Sequence, residues 1–255
     1  MRILIENDHI QIQYTEPQDI SFVVQAETEQ ENAQYIGQWS FEEHKNALDD
    51  VDILHLLIKN RAGESVGYII LKGMTNSNDS IEFMRIVITE KGYGYGASAL
   101  SLIKKWCFEA RHAHRLWLDV QEDNTRAQHV YKSQGFKREG LLRECMKVGD
   151  NYKSLVVMAM LAQEYKKENT LKNQSTSDLL NKLDQIHTTT LGIERIRRNL
   201  DLADVDIVAW CKTKIKAADH IVKQGKNWYI HTDHTIITVN ASSFTIITAH
   251  KAKKG

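Results

Sequence analysis

Residues 81–109 read IEFMRIVITEKGYGYGASALSLIKKWCFE, and the parsing of this stretch decides the fold. Ile81 to Thr89 is an apolar, β-branched run of strand type. It enters Lys91-Gly92-Tyr93-Gly94-Tyr95-Gly96-Ala97, after which Leu100, Ile103, Lys104, Cys107 and Phe108 keep the period of an amphipathic helix. A strand thus feeds a glycine loop that feeds a helix. Glycine at every second position lets loop amides turn inward, and at a helix N-terminus such a loop forms a nest for a pyrophosphate. The same composition also serves as a plain strand-to-helix packing device. A dinucleotide fingerprint would need two further residues between its later glycines and an early βαβ context, and a Walker loop would end Gly-Lys-Ser/Thr. KGYGYGASAL is neither.

Upstream, Ile3-Leu4-Ile5 and Ile10, Ile12, Tyr14 alternate as a strand or hairpin that Pro17, the chain's one proline, ends. Ile20, Val23, Val24 and Ala26 then recur at helical spacing, and Ser40-Phe41-Glu42-Glu43 resembles a capping box opening a second helix. Leu54 to Lys59 and Ser65 to Leu71 flank the turn Asn60-Arg61-Ala62-Gly63-Glu64, which predicts a hairpin. Downstream, Leu116 to Val120 is a strand, and Asn124 to Tyr131 a helix stopped by Gly135. Phe136 to Lys147 and Tyr152 to Leu161 form a closing pair of strands.

The polar stretch 167–175 reads as an exposed linker, dividing a domain over 1–166 from one over 176–255. In the second, Thr176 or Ser177 would cap a helix carrying Leu179, Leu180, Leu183 and Ile186; Ile193, Ile196 and Leu200 mark another, and Val205, Val208 and Cys211 to Ile215 a third. Asn227 to Ile230, Thr235 to Val239 and Phe244 to Ala249 are strand-like runs, parted by Thr232-Asp233-His234 and Ala241-Ser242-Ser243. Helices followed by an antiparallel meander imply a small α+β domain.

With 42% hydrophobic and 26% charged residues and a formal net charge of zero, the chain lies in the range of folded soluble proteins. Its halves differ: 21 Lys+Arg face 25 Asp+Glu in residues 1–174, and 12 face 8 beyond. Only the second part therefore hints at an anionic partner. Cys107, Cys145 and Cys211 have no metal or disulfide spacing, no run of 18 apolar residues exists, and the start turns charged too early for a signal peptide. A cytoplasmic location without membrane contact is expected. His112-x-His114 and His231-x-x-His234 lack the companions of a zinc site, so no metal is expected.

Residues 81–109 resemble the acetyl-CoA signature of the GNAT superfamily, whose loop reads Arg/Gln-x-x-Gly-x-Gly/Ala. LWLDVQEDNTRAQHVYKSQGFKREGLLRE, residues 116–144, is similar to its second signature, with Asn-x-Arg-Ala, Tyr and Gly-Phe. The resemblance covers residues 1 to about 166 and implies a mixed α/β (α+β) GNAT fold around a central, mostly antiparallel, splayed sheet. It further implies an N-acetyltransferase of the group that acts on ribosomal-protein N-termini, polyamines or aminoglycosides. Acetyl-CoA would pair with the strand at Ile86, Val87 and Ile88 and be cradled by Lys91, Gly92, Tyr93, Gly94, Tyr95, Gly96 and Ala97, with Asn124, Arg126 and Ala127 from the second signature. Lys91 stands where arginine is common, and still meets phosphate as a point charge. Glu82 matches the general base acting through water, or is a solvent-facing strand residue; Tyr131 matches the general acid, or is core; Asn124 is also a natural helix N-cap. Glu27, Glu29, Glu31 and Glu43 with Tyr35, Trp39 and His44 fall where relatives wall the acceptor pocket, which suits a cationic amine, small molecule or peptide, and equally a solvated acidic face. Glu31, Tyr35, Trp39 and His44 are the acceptor-side candidates.

Residues 176–255 resemble a bacterial family known only as a domain of unknown function and, more loosely, small ribonucleases of the barnase and toxin type. His187, Arg195, Lys226, His231 and His250 are the residues on offer for such chemistry. Arg195, Arg197 and Arg198 with Lys212, Lys214 and Lys216 could track phosphates, with Trp228, Tyr229 and Phe244 stacking on bases of RNA if exposed. The alternative reading of the whole is a catalytically silent GNAT fold that senses CoA or binds a partner, and a homodimer is left open.

Overall fold

The computed structural model describes residues 2–203, 205–218, 220–232 and 235–251. The chain divides into two compact units, Met1–Tyr165 and Lys166–Gly255. In the first, β1 (Ile3–Glu6), β2 (Ile10–Tyr14), α1 (Ile20–Thr28), α2 (Gln30–Ala33), α3 (Phe41–Asp49), β3 (Ile53–Asn60), β4 (Ser65–Lys72) and β5 (Ser80–Ile88) lead to α4 (Tyr95–Lys105). Next come β6 (Arg115–Gln121), α5 (Thr125–Ser133), β7 (Lys137–Val148) and β8 (Asn151–Leu161). Ser40 caps α3 through the reciprocal hydrogen bonds of a capping box with Glu43.

The eight strands lie in the order β1-β2-β3-β4-β5-β6-β8-β7. The described pairs are antiparallel except β5 with β6. That parallel pair is short, running only from Ser80↔Arg115 to Glu82↔Trp117. Val66 to Leu71 of β4 are six consecutive buried residues because both faces of the sheet are covered. Val23 and Ala26 of α1 pack on Leu57, Tyr68, Ile70 and Val87, while Leu100 and Ile103 of α4 belong with Ile12, Ile69, Phe83, Leu116 and Leu118.

The ladder between β4 and β5 slips: Ile70 faces Arg85 and Lys72 faces Glu82, so β5 holds one extra residue. Side-chain parity reverses across this bulge. Ile81 and Phe83 join the α4-side core before it and Ile86 and Ile88 after it, leaving Met84 and Val87 on the α1 side.

The second unit contains most of α6 (Ala162–Asn181), then α7 (Thr190–Leu200), α8 (Ile207–Lys216) and β9 (His220–Gln224), β10 (Asn227–Thr232), β11 (Thr235–Asn240) and β12 (Ile246–Lys251), paired antiparallel in the order β12-β11-β10-β9. The stretch 167–175 is helical rather than irregular, and Thr176 and Ser177 lie inside α6 instead of capping it. Nothing between Ala162 and Asn181 is a glycine or proline, so the helix has no stop. β9 was not expected from the sequence; its Ile221 and Val222 are joined to β10 across Gly225, whose φ is 58°. Trp228 and Phe244 are buried in this unit's core with Leu179, Ile196, Cys211 and Ile237. They are therefore not available to stack on bases, which removes that part of the RNA expectation. Asp233 and His234, in the expected turn and histidine pair, lie outside the described residues.

Candidate functional site

Where β5 and β6 cease to pair, they part, and a cleft of about 790 Å³ opens between them. Its walls are Phe83 to Ile88 on β5, Asp119 to Gln121 on β6, the glycine loop, the first turns of α4 and α5, and Glu31 to Gly37 after α1. β4 occupies one edge of β5. The other edge has lost its partner beyond Glu82, so backbone groups of an extended strand face the cleft side.

Gly92 and Gly94 hold φ of 95° and 77°, left-handed values that residues with a Cβ adopt at a cost. Gly94 is the N-cap of α4, so Tyr95, Gly96 and Ala97 are first-turn residues whose amides have no partner within the helix, and all line the cleft. Lys91 and Arg126 line it as well. Asn124 caps α5, its side-chain oxygen accepting from the Ala127 amide at 3.1 Å, and both residues border the cleft. Loop amides, two cations and two helix starts thus converge on one region, the chemistry of an anion cradle.

The candidate residues divide. Ile86, Val87, Ile88, Lys91, Gly92, Gly94, Tyr95, Gly96, Ala97, Asn124, Arg126, Ala127, Tyr131, Glu31 and Tyr35 line the cleft. Tyr93 does not; it is exposed and stacks on Tyr95 with ring centroids 5.7 Å apart. Glu82, Trp39 and His44 also fall outside the lining. Glu31 is engaged at the rim, where Lys91 donates to it at 2.7 Å and holds its carboxyl below the usual range, with Arg126 adding to the effect. Tyr131 packs against Phe136 on the α4-side core, and burial, then the nearby charge of Asp119, pushes its phenol up to about 12. Burial raises the Glu82 carboxyl, Asp119 raises it further, and Lys72 opposes both. Asp119 itself is raised by desolvation. Neither Asp119 nor Arg85 was singled out from the sequence; the available signal was charge inside an apolar strand, Asp119 alone in LWLDV and Arg85 with Glu82 in IEFMRIV.

His44 and Glu27 belong to a buried network below the cleft instead. Glu27, 1% exposed, accepts from the Tyr68 hydroxyl, from the Arg85 guanidinium and from the Trp39 amide at 2.8 Å, and lies 3.3 Å from His44 Nε2. His44 Nδ1 meets His55 Nε2 at 3.0 Å, and His55 Nδ1 meets Thr15 Oγ1 at 2.9 Å. The Trp39 ring lies under Arg85 at 4.7 Å. Burial alone would raise Glu27, but the nearby His44 imidazole, the Tyr68 hydrogen bond and the charge of Arg85 outweigh it and hold the carboxyl below its ordinary value. Burial, followed by the repulsion of His44, lowers His55 to about 3, so it is neutral in the folded protein. Arg85 is the link to the cleft, which it lines. Glu27→Ala leaves a guanidinium buried and unpaired, so a loss of roughly 3–5 kcal/mol in unfolding free energy is expected. Denaturant titration is the check, and a loss below 1 kcal/mol would show that Arg85 needs no anion there.

Among the described residues no group of three or more His, Cys, Asp or Glu is placed to hold a metal ion, and no helix is long and apolar enough to cross a membrane.

Residues 20–136 match the acetyltransferase (GNAT) family model, and residues 180–250 match a family described as a protein of unknown function, DUF3781. The spermidine N(1)-acetyltransferase of Escherichia coli K12 is 23% identical over 176 residues, covering 65% of this chain and 93% of that protein. The spermidine N(1)-acetyltransferase of Vibrio cholerae is 23% identical over 146 residues, covering 52% and 84%. A solved structure of the Vibrio cholerae spermidine N-acetyltransferase in complex with CoA and spermine superposes with a TM-score of 0.57 at 21% identity, covering 62% of this chain and 99% of that one. Family model, strand order and the cleft at the β5/β6 divergence agree: the chain carries a GNAT acetyltransferase domain, matched over residues 20–136, and a DUF3781 domain follows it.

Proposed function

We propose that residues 1–166 catalyse direct transfer of acetyl from acetyl-CoA to a primary, cationic amine within a ternary complex. The observation that carries this is the parting of β5 from β6 beside a left-handed glycine loop, with Tyr131 on the wall of the same cleft. The open edge of Ile86 to Ile88 suits the amide-bearing pantetheine arm, which would add as a strand using backbone groups alone. Residues 92–97, with Lys91 and Arg126, suit the pyrophosphate. Acetyl-CoA supplies the activated acyl group when bound.

A lysine-like amine of pKa about 10.4 costs roughly 4–5 kcal/mol to deprotonate at pH 7, so a proton acceptor is needed. Glu82 is our reading for it; lying outside the cleft lining, it would work through water. Tyr131 is our reading for the donor to the leaving thiolate, and its raised pKa keeps the phenol protonated at neutral pH. Glu31 and Tyr35 at the rim are the acceptor-side residues, while Trp39 and His44 would act only by supporting Arg85. The relatives named for spermidine favour a polyamine over an aminoglycoside or a peptide N-terminus. Residues 176–255 are taken as a separate domain, for which positive charge alone now supports an RNA contact.

The test is thiol release from acetyl-CoA with spermidine, an aminoglycoside and a peptide N-terminus in turn. Release with at least one amine above the hydrolysis rate is expected. Acetyl-CoA binding without release on any amine would favour the CoA-sensing module instead.

A further inference from the structure

We propose that Asp119 is the group that meets the acceptor amine, holding its ammonium beside the thioester and taking the proton that must leave before the nitrogen attacks. This rests on the acetyl-transfer reading above and revises one step of it: Asp119, on the cleft wall, receives the amine's proton first, and Glu82, off the lining, stands behind it toward water.

Position is the first argument. The last paired residues of the diverging strands are Glu82 and Trp117, and Asp119 is the second residue of β6 beyond them. Strand alternation puts Asp119 on the face of Trp117, opposite Leu116, Leu118 and Val120, which are buried in the α4-side core. Tyr131 packs on that same core. Asp119 and Tyr131 therefore come to the gap from opposite faces of the sheet, and both line the cleft. A thioester lying in the gap has a hydrogen-bond donor on one side and a carboxylate on the other, the separation an incoming amine and a departing thiolate require.

Charge is the second argument. Four carboxylates line the cleft: Glu31 is bridged by Lys91 and Asp123 by Lys153, Glu90 belongs to the glycine-loop end beside Lys91, and Asp119 alone stands on the strands that part. Among the described residues no cation or hydrogen-bond donor pairs with Asp119. Its charge is felt by Glu82 on β5 and by Tyr131 on α5, and at Glu82 it is opposed by Lys72, the cross-strand partner on β4. An ammonium placed against Asp119 would relieve the repulsion between the two carboxylates. Burial raises the Glu82 carboxyl, and desolvation on the cleft wall raises that of Asp119 although its side chain stays open to solvent; both directions favour uptake of the amine's proton.

The protons balance. One of the ammonium's three passes to Asp119 and on to solvent. The neutral nitrogen forms the N–C bond, the C–S bond breaks, a second proton leaves the tetrahedral nitrogen to neutralise the thiolate by way of Tyr131, and the third stays on the amide.

The experiment uses the full chain, the most active amine of the panel and thiol release across pH 6–10. Asp119→Asn is expected to bind acetyl-CoA within about threefold of wild type while kcat/KM for the amine at pH 7 falls roughly 100- to 1000-fold. The deficit should narrow as pH approaches the pKa of the amine, since solvent then supplies the neutral nucleophile. Asp119→Glu should recover part of the rate, and Glu82→Gln, which leaves Asp119 in place, should lose less than Asp119→Asn. A kcat/KM within threefold of wild type, or a deficit constant across the pH range, overturns the assignment while leaving the acetyl-transfer reading intact. Absence of thiol release from wild type with every amine removes both.

Discussion

Tyr131→Phe should lower turnover by about 10²- to 10⁴-fold, the range that a positioned proton donor contributes. The substitution deletes one hydroxyl and keeps the ring that packs on Phe136 and the α4-side core, so the fold should persist. The direction of the pKa shift matters. A phenol pushed up to about 12 is protonated throughout the neutral range and available as a donor. A cysteine-like thiol has a pKa near 8.5, however, so complete transfer from the phenol to the thiolate would run uphill. Tyr131 should therefore stabilise the breaking C–S bond by hydrogen bonding, with the proton replaced from the tetrahedral nitrogen. Such an interaction exists only as charge develops on sulfur, so kcat and kcat/KM should fall together while acetyl-CoA affinity stays. Steady-state kinetics with calorimetry on the same variant makes the measurement. Unchanged kcat with weakened acetyl-CoA binding would mean that Tyr131 only packs.

The second large effect is expected at Gly94, where glutamate should weaken acetyl-CoA binding by about 100-fold or more. Two costs add. At φ 77° a side chain destabilises the left-handed backbone by roughly 1–2 kcal/mol. A carboxylate at the N-cap of α4 also takes the place of the anion and repels any pyrophosphate brought there. Space is not the obstacle, because a Cβ at Gly94 would meet only His9 Cε1, at 3.7 Å. Gly94→Ala therefore separates the terms: it carries the backbone cost without the charge and should lose about tenfold. Calorimetric titration of both variants with acetyl-CoA decides, and equal affinity of Gly94→Glu and wild type would remove the glycine loop from the cofactor site.

Much of this protein is legible in its sequence. Alternation in β2, the hairpin of β3 and β4, the strand-loop-helix passage at 81–109 and the N-cap at Asn124 are local matters, set by side-chain period and turn chemistry over a few residues. The left-handed glycines are local too, because only glycine takes that backbone region freely. The readings that failed were those for which local chemistry has two solutions. A polar run without glycine or proline can be a loose linker or a helix, and at 167–175 it is a helix. Trp228 and Phe244 can stack on a ligand or fill a core, and the four-stranded sheet with its helices buries them. His44 and Trp39 looked like pocket walls because the acidic segment around them did. Glu27, 41 residues from Tyr68 and 58 from Arg85, instead draws them into a buried network.

By itself the sequence determined most elements of the first unit, their order and the residues able to cradle an anion, since each depends on neighbours within a few positions. Only the tertiary structure decided which carboxylate reaches the cleft. The extra residue in β5 reverses side-chain parity, and the pairing of β5 with β6 stops after Glu82 and Trp117. Both are properties of strand register between segments far apart in the chain; Glu82 sits at the last pair and stays off the cleft lining, while Asp119, two residues beyond it on β6, is on it.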